Sequence, residues 1–329
     1  MSCIENVNRY IVPNDVITLL TKVYKFIGKN EIYKEIAKGD MNKIVEQTIQ
    51  RDAFFLGKII NLSLTDTRLR LIIIKNSAPR NREENVLYNM VEILTDLQEN
   101  YLKYDFQSND QLNMINYVYQ SQNIKYDLKE QINNRSKRLF LDDLTEEVYD
   151  NKYDIEDIIL YLNYFIDLSN IKPFTANNLT SSLMTLYLLM LKSELDVFRY
   201  VSFFEMIYNN LGEFNDRLLD VSYNWKEGIS QPTSFIRFMI TLILEAYEKA
   251  EKIIYEYKID QNLSKGDNIE NTILKLPAIF TKDQIRAVHP YVSESTINRA
   301  LQKLRDENKI KPLGKGRSAK WRRISLSNI

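Results

Sequence analysis

Residues 155–192 read IEDIILYLNYFIDLSNIKPFTANNLTSSLMTLYLLMLK, two strongly apolar runs separated by a short polar segment. The apolar residues of 155–168 recur at helical spacing, which predicts a helix. A second helix is predicted over residues 183–200, and it begins with LMTLYLLML, which is apolar almost all round. A helix that is apolar on every side is normally buried, so we expect the second to be the central helix of the fold.

The rest of the chain also favours helices. Gly and Pro number only 8 and 7 in 329 residues, too few for a turn-rich β-sandwich. The more polar residues 107–150 predict a short helix followed by a loop or hairpin. Apolar residues recur at helical spacing over residues 16–27 (closed by Gly28), 41–64, 83–102, 206–211, 214–219 and 234–257. The predicted fold class is mainly α.

The composition excludes several kinds of chemistry. The only histidine is His289, so residues 1–288 can support no histidine-based catalysis or metal ligation. The only cysteine, Cys3, excludes an intramolecular disulfide framework and a multi-cysteine metal cluster. No glycine loop has the spacing GxxxxGK[ST] or GxGxxG that cradles phosphate. We therefore predict no metal and no cofactor. Without a signal peptide or a spanning apolar run, we also expect a soluble cytoplasmic protein with no membrane contact.

Charge is distributed unevenly along the chain. The whole sequence has 44 Lys and Arg against 44 Asp and Glu, but residues 272–329 have 13 against 4, a net of +9. The preceding residues carry the balancing −9. The polar stretch IDQNLSKGDN at 259–268 predicts a domain boundary between the two parts. An acidic body joined to a basic terminal domain is typical of proteins that contact nucleic acid.

The basic segment has the pattern of a small helical domain with a hairpin. Thr281 and Gln284 form a predicted capping box, with Phe280 and Ile285 as the accompanying hydrophobic staple. Ser293 is predicted to cap a second helix, from Glu294 to about residue 308. The buried stripe of this second helix is predicted to be Ile297, Ala300, Leu301 and Leu304.

This order of elements resembles a winged helix-turn-helix, a DNA-binding fold. The exposed face of the second helix would meet bases or phosphates of double-stranded DNA through Ser295, Asn298, Arg299 and Lys303. The segments IKPL and KWRRI predict a two-stranded hairpin, the wing, which would direct Lys315, Arg317, Lys320, Arg322 and Arg323 toward the DNA backbone. His289 lies in the turn and is predicted to be a surface or helix-capping residue. The alternative is a winged helix that contacts another protein, its charges merely solvating it.

The body of the chain carries a second resemblance. Residues 172–174, KPF, stand between the two apolar helices. This is similar to the Fic (Fic/DOC) family, whose motif HPFxxGNGRxxR lies at that junction, and whose bacterial members often carry a winged helix after the body. Three further segments of this sequence resemble other helices of the family: IQRDAFFLGKIINLSLT (49–65), REENVLYNMVEIL (82–94) and PTSFIRFMITLILEAYEKA (232–250).

The resemblance implies a Fic-like helical bundle in three regions. Residues 1–105 would include the family's inhibitory helix, 106–260 would form the helical core, and 268–329 would form the winged helix. It also implies an ancestry in AMP transfer from ATP.

The residues that carry the family's chemistry are replaced here. Lys172 stands at the base histidine, and an ammonium group cannot readily accept a hydroxyl proton. Ala176 stands at the acidic residue that organises Mg²⁺ and has no ligand atom to offer. The motif's proline and phenylalanine are retained as Pro173 and Phe174, and its flanking asparagine as Asn178. Lys172 stands at its histidine, Ala176 at its acidic residue, Asn177 and Leu179 at its glycines, and Thr180 and Leu183 at its arginines. The sequence therefore predicts a catalytically degenerate body.

The segment that resembles the family's inhibitory helix (49–65) has also lost the residues characteristic of that helix. In the family pattern EAxxSSxIEG, a serine falls on Leu56 and the glutamate on Ile60, which Asn61 follows. That glutamate restrains an arginine of the ATP site, and the arginine is replaced as well. The paired loss predicts a body that no longer binds ATP.

Several alternatives remain open. KPF can be coincidental, and the body an unrelated helical bundle. The favoured function is a DNA-binding, transcription-regulator-like homodimer whose body supplies dimerisation or binds a protein partner or a small-molecule effector. A second is an AMP-transferase-like enzyme with an unconventional base, dependent on Lys172 and Asn178. A third is an adaptor whose body binds an extended protein segment by strand addition.

Overall fold

The computed structural model of the protein describes residues 2–7, 11–122, 141–262, 269–270, 272–273, 276–289, 292–314 and 320–324. The chain divides into two compact units, each assembled from two stretches of sequence. Unit 1 comprises Met1–Ile32 and Val45–Ala250, and unit 2 comprises Tyr33–Ile44 and Glu251–Ile329. Most of the described backbone is helical, which confirms the predicted mainly α class. None of the described helices is long and apolar enough to cross a membrane.

Twelve α-helices are described before residue 263: α1 (Asn14–Ile27), α2 (Asn30–Ala37), α3 (Met41–Ile59), α4 (Asp66–Lys75), α5 (Arg82–Asn100), α6 (Ser108–Val118), α7 (Leu141–Asn151), α8 (Asp157–Ile171), α9 (Asn178–Lys192), α10 (Phe203–Asn209), α11 (Leu211–Ser222) and α12 (Thr233–Asn262). Helices α1, α3, α5, α8, α9, α10, α11 and α12 lie on segments whose periodicity predicts them. Helix α6 is the short helix predicted in residues 107–150. The loop or hairpin predicted after it, within residues 107–150, is not tested over residues 123–140, which lie outside the described residues, and residues 141–150 belong instead to helix α7, which the sequence pattern did not predict.

Helices α8 and α9 form the centre of unit 1. They pack against each other, and the residues of 158–168 and 180–191 are all buried. This confirms the prediction of a central buried helix. Helix α9 begins at Asn178 rather than at residue 183, because its polar first turn is satisfied within the core: the Thr180 and Tyr119 hydroxyl oxygens lie 2.8 Å apart. It ends at Lys192 rather than at residue 200, since Glu194 adopts a positive φ of 59°.

Helices α2 and α4 are not evident from the apolar pattern. Both are short, and α4 mixes charged with apolar residues in the sequence DTRLRLIIIK. Its boundaries are set by local chemistry, because the Thr65 side chain accepts a hydrogen bond from the backbone N–H of Arg68 at the start, and Asn76 is left-handed at the end. Helix α3 ends at Ile59, before the predicted end at residue 64, because the chain turns through Asn61 with a φ of 56°.

Among its described residues, unit 2 includes a small three-stranded antiparallel sheet and the helices α13 (Lys282–Val288) and α14 (Glu294–Asp306). The strands are β1 (Ile279–Thr281), β2 (Ile310–Pro312) and β3 (Lys320–Arg323). The strand order is β1–β3–β2, so β3 pairs with both of the others. The pairing of β2 with β3 confirms the predicted hairpin. Strand β1 was not expected, because it is only three residues long and its last residue, Thr281, is also the N-cap of α13.

Both predicted helix caps of unit 2 are confirmed. Thr281 and Gln284 exchange the two hydrogen bonds of a capping box, and the Ser293 side chain accepts from the N–H of Thr296. The predicted stripe of α14 is buried, and so are Phe280 and Ile285. The core of unit 2 consists of Ile269, Ile273, Phe280, Ile285, Ile297, Ala300, Leu301, Leu304 and Ile310, with Leu276, Val292 and Trp321 packed against it.

Candidate functional sites

The junction between α8 and α9, residues 172–177, holds the first half of the Fic-like motif. Lys172 ends α8 in the left-handed conformation, with a φ of 49°, and its side chain is exposed. Pro173 and Phe174 are buried, and Phe174 is fully inaccessible to solvent. Pro173 and Phe174, two of the residues that match the family's motif, are therefore core residues here, and the lysine is exposed.

Asn178, the first residue of α9, fixes the shape of this junction. Its Oδ1 accepts a hydrogen bond from the backbone N–H of Phe174, and its Nδ2 donates one to the carbonyl oxygen of Phe174, both at 2.8 Å. One side chain thus satisfies both backbone polar groups of a buried residue. Both polar atoms of the Asn178 side chain are therefore engaged in stabilising the conformation of the junction.

The motif positions around Asn178 offer little to a phosphate or a cation. Ala176 is half-buried and has no donor or acceptor in its side chain. Asn177 is left-handed, with a φ of 53°, and Leu179 leaves 49% of its surface exposed in the first turn of α9. Residues 172–180 contain neither Asp nor Glu. The junction therefore lacks the carboxylate that a magnesium site normally uses.

Thr180 and Leu183, which stand where the family has arginines, belong to the core. Leu183 is fully buried, and Thr180 is buried with its hydroxyl against that of Tyr119. Upstream, Leu56 is also fully buried on α3, and Ile60 follows the end of that helix. Leu56, Thr180 and Leu183 are therefore core residues of unit 1, whereas Ile60 is half-buried.

Two buried carboxylates of unit 1 were not singled out from the sequence. Asp52 on α3 accepts hydrogen bonds from Ser202 Oγ at 2.7 Å, from Phe204 N–H at 3.0 Å and from Tyr187 Oη at 3.3 Å. Burial raises its pKa to about 7. The available signal was a charged residue on the buried side of α3, close to Ala53 and Leu56.

Asp167 on α8 is the second buried carboxylate. It accepts hydrogen bonds from Cys3 N–H at 2.7 Å, Ile4 N–H at 3.1 Å and Trp225 Nε1 at 2.7 Å. Burial raises its pKa to about 6. These contacts attach residues 2–7 to α8, so Asp167 has a structural function. Among the described residues, no group of three or more His, Cys, Asp or Glu side chains is placed to hold a metal ion.

In unit 2, helix α14 presents a polar face opposite its buried stripe. Ser295, Asn298, Arg299 and Gln302 are all exposed. Ser295 Oγ lies 2.9 Å from Ser293 Oγ at the helix cap, so this residue is partly engaged in capping. Asn298 and Arg299 project from the middle of the helix. In proteins that bind DNA, amide and guanidinium side chains are the types that read adenine and guanine edges.

Lys303 lies on the same helix but in a different electrostatic environment. Its Nζ is 3.8 Å from Glu270 Oε2 and 3.9 Å from Glu307 Oε1. The sequence placed this lysine among the DNA-contacting residues without indicating any acidic neighbour at residue 270. The structure thus places two carboxylates within 4 Å of the Lys303 ammonium group.

Strand β3 separates its predicted DNA contacts by face. Lys320 and Arg322 are exposed, whereas Trp321 and Arg323 alternate with them and are half-buried. Trp321 packs on the core of unit 2, so Arg323 lies on the core-facing side of the sheet. Lys320 and Arg322 are the strand's outward cations. The predicted contacts Lys315 and Arg317 lie outside the described residues.

His289 is the C-cap residue of α13. Its Nε2 lies 2.5 Å from Thr272 Oγ1, a contact that joins the end of α13 to residues 272–273, which are helical. This agrees with the predicted capping role.

The fold is similar to that of a Fic family protein. The match is to a crystal structure of a Fic family protein from Desulfovibrio desulfuricans G20, with a TM-score of 0.57 and 12% sequence identity. It covers 97% of this chain and 99% of the other. No protein-family model matches the sequence, and no curated protein matches it. The two proteins thus share a fold over nearly their whole length at very low sequence identity.

Proposed function

We propose that this protein binds double-stranded DNA through unit 2, which we interpret as a winged helix, and that its Fic-like body has lost the chemistry of AMP transfer. In this proposal α14 is the recognition helix, and β2 and β3 form the wing. The observation that carries the proposal is the polar face of α14, because its central residues, Asn298 and Arg299, are exposed directly opposite a buried apolar stripe.

The surroundings of α14 support binding to a polyanion. Residues 272–329 carry a net charge of +9, which favours association with phosphate backbones. Lys320 and Arg322 add two outward cations on β3, and they would contact phosphates beside the groove that α14 enters. Base contacts from α14 and phosphate contacts from β3 would together determine register and sequence preference.

The side chains at the α8–α9 junction support the second part of the proposal, which is that the body has lost the chemistry of AMP transfer. The residues present do not fit Mg²⁺ or the phosphates of ATP, since residues 172–180 contain no carboxylate and Leu179 occupies the first turn of α9. Thr180 and Leu183 are buried where a phosphate clamp would need arginines. An exposed lysine at residue 172 is also poorly suited to accept a proton. We therefore derive no transfer step for this site.

The first experiment measures the affinity of the full chain for duplex DNA at several salt concentrations. We expect a negative slope of log K against log salt, because bound phosphates release counterions. Arg299→Ala should weaken binding by about 1–3 kcal/mol if the guanidinium reads a base, or lower the slope by about one if it contacts a phosphate. The matched control is Arg305→Ala on the same helix, whose guanidinium already pairs with Asp306 at 2.9 Å.

The control variant should bind within about twofold of the wild type, because its charge is balanced locally. Equal losses for Arg299→Ala and Arg305→Ala would show that only net charge matters and would refute recognition through α14. If the wild type fails to bind duplex DNA even at low salt, the proposed function is wrong.

The loss of nucleotide chemistry is tested separately. A ligand that binds only the folded state of a protein raises the protein's melting temperature. Because the proposed body does not bind ATP, adding Mg²⁺ and ATP should leave the melting temperature of the wild type unchanged. A concentration-dependent rise, or transfer of labelled AMP to any protein, would contradict a degenerate body.

A further inference from the structure

Four charged side chains in unit 2 form a closed ring of alternating sign. Lys303 Nζ lies 3.8 Å from Glu270 Oε2 and 3.9 Å from Glu307 Oε1. Lys309 Nζ donates a hydrogen bond to Glu270 Oε1 and lies 3.0 Å from Glu307 Oε2. Each carboxylate therefore faces both lysines, and each lysine faces both carboxylates. We refer to these four residues as the charge ring.

The backbone holds the members of the charge ring in place. Glu270 follows the fully buried Ile269, and Lys309 precedes the buried Ile310 at the start of β2. Glu307 is the C-cap residue of α14, and the Lys309 N–H donates to the carbonyl oxygen of Leu304, 2.9 Å away. The ring thus joins three elements whose positions are set by the core of unit 2. The Glu270 side chain is only 19% exposed, which makes it the most shielded member.

The charge ring is electrically neutral although it contains two of the cations that make this part of the chain basic. The two carboxylates raise the pKa of Lys309, with the hydrogen bond to Glu270 as the larger cause. Arg299 and Arg322, by contrast, have no carboxylate partner within 4 Å among the described residues. A DNA phosphate approaching Lys303 would have to displace one carboxylate and would experience repulsion from the other.

We infer that Glu270 and Glu307 limit the DNA affinity of unit 2 by keeping Lys303 and Lys309 from contacting phosphates. This inference rests on the proposed DNA binding. Because phosphate contacts strengthen binding to every sequence equally, withholding them weakens binding to all duplexes alike and leaves the discrimination by Asn298 and Arg299 unchanged. The two glutamates therefore set the overall strength of DNA binding and need not touch the DNA.

The test is a double-mutant cycle in the full chain, with duplex DNA titrated at about 0.1 M salt. Glu270→Gln should strengthen binding about three- to tenfold and steepen the salt slope by about one, which corresponds to one additional phosphate contact. Glu307→Gln should act in the same direction, and because Glu307 is more exposed this variant covers the case in which the first does not fold. Asp283→Asn is the matched control, since it removes one negative charge outside the ring while Arg286, which lies 3.6 Å from Asp283, keeps its closer ion pair with Glu294 at 2.8 Å.

Lys303→Ala completes the cycle. In the wild-type background it should change the affinity by less than about twofold, because its charge is balanced. In the Glu270→Gln background, Lys303→Ala should abolish the increase in DNA affinity that Glu270→Gln produces. A wild type that binds DNA, with Glu270→Gln and Glu307→Gln both no tighter than Asp283→Asn, would refute this inference and leave the proposed function standing. A wild type that binds no DNA would overturn both.

Discussion

Asp52 offers the sharpest test of the packing in unit 1, because it is a fully buried carboxylate with three hydrogen-bond donors and no cation. Asp52→Asn removes the charge and retains most of the geometry. The amide oxygen can still accept from Ser202 and from the Phe204 N–H, which both donate to Oδ1. The new NH₂ group faces Tyr187 Oη, which lies 3.3 Å from Oδ2 and can accept from it. The substitution therefore isolates the effect of ionisation.

The magnitude follows from the pKa of Asp52, which burial raises from 3.8 to about 7. Below pH 3.8 the Asp52 carboxyl group is protonated in both the folded and the unfolded chain, so its burial does not reduce the free energy of unfolding. Between pH 3.8 and about 7 the unfolded chain releases the proton while the folded chain keeps it, so the free energy of unfolding falls as pH rises. At 1.36 kcal/mol for each pKa unit, the loss across this window is about 4 kcal/mol.

The assay is urea unfolding at pH 4.5, 6 and 7.5, followed by tryptophan fluorescence. The protein has two tryptophans, Trp225 in unit 1 and Trp321 in unit 2, so a Trp321→Phe background restricts the signal to unit 1. Asp52→Asn should match the parent within about 1 kcal/mol at pH 4.5 and exceed it by roughly 3 kcal/mol at pH 7.5. Asp216→Asn is the control, because it removes an exposed carboxyl from α11 in the same unit.

A difference between Asp52→Asn and its parent that stays constant from pH 4.5 to 7.5 would refute this reasoning. It would mean that Asp52 ionises equally well in the folded and unfolded chains. Other buried carboxylates, such as Asp167, titrate in both proteins and so cancel in the comparison.

Two further substitutions test other parts of the structure by the same unfolding measurement. Asn178→Ala leaves both backbone groups of Phe174 without their partner, so it should destabilise unit 1 by about 1–3 kcal/mol, whereas an unchanged midpoint would show that the α8–α9 junction is not held by this side chain. Leu304→Ala opens a cavity in the core of unit 2 and should cost about 2–5 kcal/mol, read from Trp321 in a Trp225→Phe background; an unchanged midpoint would contradict the assignment of Leu304 to that core.

The features that could be predicted from the sequence depend on residues close together in the chain. The helical class, the buried stripe of α14 and the caps at Thr281 and Ser293 all follow from patterns that repeat within one or two helical turns. The pairing of β2 with β3 follows from two short extended segments separated by a turn. Prediction was weakest at boundaries, as at the start of α9, where polarity suggested a loop and Tyr119 instead satisfies a buried Thr180.

The candidate site could be predicted only in part, for the same reason. The exposure of Asn298 and Arg299 follows from helical periodicity, but the alternation that turns Arg323 inward depends on the register of β3 against β1 and β2. The pairing of Lys303 with Glu307 follows from their i,i+4 spacing, but its contact with Glu270 could not be foreseen, because Glu270 lies far away in sequence.

The sequence by itself determined most of the helical segments, where the positive charge is concentrated and which residues stand at the motif of the α8–α9 junction. Only the tertiary structure decided which polar groups meet. Asp52 reaches Ser202 across 150 positions, and Asp167 reaches Cys3 across 164. Helix formation depends on contacts between near neighbours, whereas the pKa of a buried carboxylate or the availability of a lysine depends on whatever the complete fold places beside it.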